Sequence, residues 1–182
     1  MKKLSVSLLG LISILFAISV QAQVPPEQAR NYQINETHTG SISVPGLTPP
    51  LKQKWSVNFG WPISYPLIAD GKVFVTVKNA PVTSGTTLVA LNAGDGSMLW
   101  SINLNLGGPN FWSALCYENG RVFVLTREGR LGAFDGSTGS VIWSQQLPGQ
   151  FSFSSPPTVF QGVVYAGGSG NGVDDTLKHC RR

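Results

Sequence analysis

Beyond residue 58 the apolar positions come in short β-branched and aromatic runs, each preceded by a tight-turn dipeptide. Lys72-Val-Phe-Val-Thr76 follows Asp70-Gly71, Arg121-Val-Phe-Val-Leu125 follows Asn119-Gly120, and Val163-Val-Tyr-Ala166 follows Gln161-Gly162. Runs of that length predict strands, and the dipeptides before them supply the left-handed conformations a two-residue hairpin needs. Helical periodicity is confined to the first residues. The second unit reads as four strands, at Ser113–Tyr117, Arg121–Thr126, Arg130–Asp135 and Ser140–Gln145.

The units repeat. Trp-Ser recurs at Trp55, Trp100 and Trp143, with spacings of 45 and 43 residues. The last two close related runs, Leu88-Val-Ala-Leu-Asn-Ala-Gly-Asp-Gly-Ser-Met-Leu-Trp100 and Leu131-Gly-Ala-Phe-Asp-Gly-Ser-Thr-Gly-Ser-Val-Ile-Trp143. The first unit is longer because residues 79–86 replace the short Arg127-Glu-Gly129 connection, a change that loop-closure entropy tolerates. Four antiparallel strands in about 43 residues is the size of a propeller blade.

This pattern resembles the repeat of the pyrroloquinoline-quinone-like (quinoprotein-like) β-propellers, which include quinoprotein alcohol dehydrogenases and the β-propeller factor of outer-membrane protein assembly. The resemblance covers residues 31–177 and implies an all-β propeller. It also implies that Trp55, Trp100 and Trp143 pack between blades, and that Gly96 and Gly139 shape the turns before them. Gly71, Gly120 and Gly162 are the hairpin glycines. Leu51–Val57 would be a ring-closing strand, joining a last blade. Blades are expected at 58–102, 103–145 and 146–182, the last incomplete, after a lead-in over 23–50.

Residues 58–182 supply just under three blades, whereas a closed ring takes at least about four. The final Lys178-His-Cys-Arg-Arg182 departs from the repeat, so a truncated or frameshifted copy of a longer propeller gene is the expected origin. On that reading Trp55 lacks a partner sheet and the isolated chain aggregates.

Residues 1–22 read as a secretory leader: Lys2 and Lys3, an uncharged apolar run from Leu4 to Val20, then Val20-Gln21-Ala22 with small residues before the cleavage point. The chain is therefore expected to be exported, periplasmic or extracellular, without a membrane anchor once the leader is cleaved. Without Lys2 and Lys3 the net charge of +4 falls to +2, too little to argue for nucleic acid.

Chemistry is sparse. Only 12% of residues are charged, and the two histidines are His38 and His179. Gly167-Gly-Ser-Gly-Asn171 lacks both the spacing and the following helix of a nucleophile elbow or phosphate loop. The carboxylates of Asn92-Ala-Gly-Asp-Gly96 and Asp135-Gly-Ser-Thr-Gly139 read as turn formers, too few for a calcium loop. No catalytic, cofactor-binding or metal-ligating residue is assigned. The family's dehydrogenases carry adjacent cysteines over the quinone, whereas Cys116 lies between Leu115 and Tyr117. The expectation is a non-catalytic binding or assembly module for a protein or polymer partner, with no cofactor. The alternative is the N-terminal part of a quinone-dependent dehydrogenase, taking pyrroloquinoline quinone with calcium.

Overall fold

The computed structural model describes residues 28–41, 49–79, 85–104, 113–148, 153, 155–168 and 178–181. The leader, most of the 79–86 insertion and most of the glycine run after Gly168 lie outside them. The described chain is all-β. Strands β1 (Leu67–Ala69), β2 (Lys72–Lys78), β3 (Thr86–Asn92) and β4 (Met98–Asn103) form one antiparallel meander. A second meander is built by β5 (Ser113–Glu118), β6 (Arg121–Thr126), β7 (Arg130–Asp135) and β8 (Val141–Gln146). The third sheet has β9 (Thr158–Phe160), β10 (Val163–Ala166) and β11 (Lys178–Arg181), in the order β11-β10-β9.

The repeat is visible in the ladders. Ala90 pairs with Trp100 and Ala133 with Trp143, and each ladder shifts register at the next residue. The hairpins into β2, β6 and β10 turn on Asp70-Gly71, Asn119-Gly120 and Gln161-Gly162, all with φ between 48° and 78°. Left-handed φ at both central positions matches the twist of the flanking strands. The tail that leaves the sequence pattern still forms β11, because strand pairing is made by the backbone and accepts many side chains.

Sheets stack face to face, which is why β2, β3, β6 and β7 are buried along nearly their whole length instead of alternating. Between the first two sheets lie Leu67, Phe74 and Leu88 against Leu115, Val122 and Phe134. Between the second and third lie Cys116, Phe123 and Leu131 with Val159, Val164 and Ala166. The outer face of the first sheet, Val73, Val75, Val77, Val89 and Leu91, is covered by Trp55 and Phe59. This corrects the expectation that Trp55 lacks a partner sheet. Leu51–Val57 pairs with no strand among the described residues, and its tryptophan reaches the first sheet by side-chain packing and by donating its indole N–H to the Ala93 carbonyl at 3.0 Å.

The lead-in laces the inner strands together. Ala29 bridges Ile68, the carbonyl of Arg30 accepts from Tyr117 N–H at 2.8 Å, and Asn31 Oδ1 accepts from Val159 N–H at 3.1 Å. One short segment thus touches β1, β5 and β9, one strand from each sheet.

Candidate interaction site between the sheets

Each filled junction sets a tryptophan on a glycine turn of a neighbouring sheet: Trp55, from the segment before the first sheet, on the turn ending in Gly96, and Trp100 of β4 on the turn ending in Gly139. Asn92 and Asp135 open those turns. Their side-chain oxygens accept from Gly94 N–H at 2.7 Å, and from Ser137 and Thr138 N–H at 2.9 and 2.8 Å. The backbone closes the loop, Gly96 N–H reaching the Asn92 carbonyl and Gly139 N–H the Asp135 carbonyl. Gly96 and Gly139 both sit at φ +77°, and a Cβ on either would lie 2.7 Å from an indole carbon, of Trp55 and Trp100 respectively. Glycine is required there twice over, for its left-handed backbone and for the close approach of the ring.

The turn carboxylates are tied to this geometry. Hydrogen bonds from Thr138 and Ser137, more than the charge of Lys72, hold the Asp135 carboxyl below the usual range. Bonds from Ser97 lower Asp95, with a smaller contribution from Lys54.

At the junction of the second and third sheets Trp143 borders open space. A cavity of about 350 Å³ is bounded by Trp143 and Phe123, by Glu118 and Arg121, and by Gln161, Gly162 and Val164. Phe123 and Trp143 lie 6.2 Å apart, close to the 5.9 Å of Phe74 and Trp100 in the filled junction. Glu118 Oε2 accepts from Gly162 N–H at 2.6 Å and ties the two sheets at the cavity edge. A smaller space of about 160 Å³ lies under the lead-in, against Arg30, Asn31, Glu36 and Glu118.

The structure places Trp55, Trp100, Gly96 and Gly139 in the filled junctions, Trp143 and Gly162 at the cavity and Gly71 and Gly120 in open hairpins, and it offers little for covalent chemistry among the described residues. Among the described residues no three His, Cys, Asp or Glu side chains converge. Cys116 is wholly buried, and desolvation pushes its thiol well above the ordinary range, against a nucleophilic role. Burial, then the hydrogen bond to Asp70, raises the Tyr117 phenol far above its ordinary value. His38 meets Thr158 Oγ1 at 2.8 Å on an exposed surface, a contact between lead-in and third sheet. The sequence did not single out Glu118, Arg121 or Asn31. Only the repeat alignment, which puts Arg121 where Lys72 stands, carried any signal for them.

Residues 84–176 match the PQQ_2 family, described as outer membrane protein assembly factor BamB. Over 122 residues the chain is 31% identical to the dehydrogenase subunit of the quinone-dependent alcohol dehydrogenase of Gluconobacter oxydans, covering 58% of this chain and 15% of that one. It is 30% identical over 116 residues to the quinohemoprotein alcohol dehydrogenase ADH IIB of Pseudomonas putida, covering 58% and 16%. The chain thus corresponds to only a small part of these relatives.

A europium-containing methanol dehydrogenase superposes with a TM-score of 0.63 at 19% identity, over 81% of this chain and 28% of that one. Quinohemoprotein alcohol dehydrogenase ADHIIG of Pseudomonas putida HK5 gives 0.62 at 19%, over 80% and 23%. At such identity the likeness shows the fold alone. With tryptophan-on-glycine junctions between four-stranded sheets and a family match over just over half its residues, the chain belongs to the PQQ_2 family of quinoprotein-like β-propellers.

Proposed function

We propose that this chain is an exported, non-catalytic binding module that takes extended polypeptide by strand addition in the periplasm or outside the cell. The observation that carries this is the character of the outer strands. Among the described residues β4 and β8 are sheet edges, and both bear large exposed apolar side chains: Met98 and Leu99 on one, Val141 and Ile142 on the other, 44–60% exposed. An unpaired backbone edge flanked by apolar side chains on both faces is a template for an added strand. The description of the matching family as an outer-membrane assembly factor supports a polypeptide partner.

The test uses an end-labelled peptide of alternating apolar and polar residues and the full chain. Binding is expected, and Leu99→Lys with Ile142→Lys should weaken it roughly tenfold while leaving the folded spectrum intact. Equal binding to the variant removes the edges from consideration.

The second reading is favoured by the identity to quinone-dependent dehydrogenases. The described residues do not supply the group's holders: Cys116 is buried with no cysteine beside it in the chain, and no metal-ligating cluster forms among them. No step is therefore assigned to the quinone. Micromolar binding of pyrroloquinoline quinone with calcium, measured by calorimetry, would reverse the order of the two readings.

A further inference from the structure

We infer that the space under the lead-in is a binding site for a small free α-amino acid, held as its zwitterion. Half of one side chain points to it. Asn31 is 2% exposed, and its Oδ1 accepts from Val159 N–H at 3.1 Å. That bond fixes the orientation of the amide, because only the oxygen can accept. Nδ2 is then a donor without a partner among the described residues, in a side chain that lines a space of about 160 Å³. A buried donor left unmet destabilises the fold, so an acceptor belongs beside it.

The other polar groups of the lining define what that acceptor is part of. Arg30 adjoins Asn31 in the chain, and its side chain makes no ion pair among the described residues. A guanidinium and an amide N–H together favour a carboxylate. Glu36 and Glu118 line the same space. Glu118 Oε2 is taken by Gly162 N–H at 2.6 Å, which leaves Oε1, and Glu36 has no side-chain partner among the described residues. An ammonium carries three donors, and two carboxylates meet them better than one.

A ligand of one sign fits only part of this lining. A simple carboxylate would face Glu36 and Glu118, and a metal ion or alkylammonium would face Arg30 and leave Asn31 Nδ2 unmet. The interior of a polypeptide has no backbone charge for either set. Size decides the rest: about 160 Å³ is the share of about five waters, so the ligand's side chain is short. The walls come from the lead-in, β5, and β9 with the turn after it, so the site is separate from the strand edges of β4 and β8 on which the proposed function rests.

The test titrates glycine and alanine into the full chain, followed by calorimetry and by the amide resonances of Val159, Gly162 and the Asn31 side chain. Saturable binding is expected between about 10 μM and 1 mM, the range open to so few atoms. Propionate, with methyl in place of the ammonium, and isobutylamine, with isopropyl in place of the carboxylate, should each bind at least roughly tenfold more weakly than glycine. Arg30→Gln and Glu36→Gln, both at exposed side chains, should each weaken glycine roughly three- to tenfold. Arg30→Gln should leave isobutylamine unchanged, and Glu36→Gln should leave propionate no weaker. Asn31→Asp keeps the acceptor for Val159 N–H and removes the donor, so glycine should weaken at least roughly tenfold while Val159 stays protected from hydrogen exchange. No shift at Val159 or Gly162 by about 10 mM glycine overturns the proposal. So does equal affinity for propionate or isobutylamine, or unchanged glycine affinity in the Arg30 and Glu36 variants.

Discussion

Gly139 and Gly71 separate two reasons for glycine within one chain. Both have positive φ, +77° and +70°, but a Cβ at Gly71 meets nothing within 4 Å whereas one at Gly139 strikes Trp100 and Ile102. Gly71→Ala should therefore cost only the backbone strain, about 1–2 kcal/mol. Gly139→Ala should cost that and about 1–3 kcal/mol more from overpacking. Urea midpoints for the two variants check the ordering, and equal losses would mean that the indole simply moves aside. Asp135 carries a pH signature. Its folded carboxyl titrates below the ordinary value because turn amides and the Thr138 hydroxyl bond the charged form. Its contribution is then present above the unfolded value of about 3.9 and lost as pH falls through the lower folded value. Asp135→Asn keeps an acceptor at that position, as Asn92 does in the first turn. The variant should show a shallower fall in stability below about pH 4 in acid titrations followed by urea unfolding.

Among the elements, the lead-in is the least regular and the most connected. It forms isolated bridges instead of a ladder, yet it satisfies a backbone donor on β9 through Asn31, itself only 2% exposed. Asn31→Ala would leave Val159 N–H buried without its acceptor, at a cost of about 1–3 kcal/mol. The expected local result is faster hydrogen exchange at Val159, with β2 and β3 unchanged. Uniform acceleration across the chain would show instead that the sheets unfold as one unit. The strands themselves were legible from their residues. β6 and β7 match the expected bounds, and β8 begins at Val141 because Ser140 gives its carbonyl to Asp135 N–H in the turn. The lead-in's route was not legible. The backbone of Asn31 bonds locally to Ile34, but its side-chain acceptor role is made by a residue 128 positions away.

For the whole molecule the informative series is Phe74, Phe123 and Tyr165, the same position in successive sheets, at 0%, 6% and 41% exposure. The first two are covered by the next sheet along. No sheet covers the far face of the third among the described residues. Native-state hydrogen exchange should therefore fall in protection from the second sheet to the third, with β9 and β10 opening at lower free energy than β6 and β7. Equal protection in the two sheets would show that stacking on one side suffices. The expectation that the isolated chain self-associates belongs here too, and sedimentation at increasing concentration measures it.

Repeat period, strand positions, turn glycines and the paired tryptophans follow from short-range rules. Left-handed turn residues, β-branched runs and a recurring aromatic leave their mark on neighbouring positions, so the sequence alone determined the all-β class and the blade pattern. Which turn lies on which indole was settled only in three dimensions. Trp55 packing over the first sheet and Asn31 holding β9 depend on contacts between segments distant in the chain. Strand pairing is indifferent to most side chains, so β11 could form from residues that break the repeat.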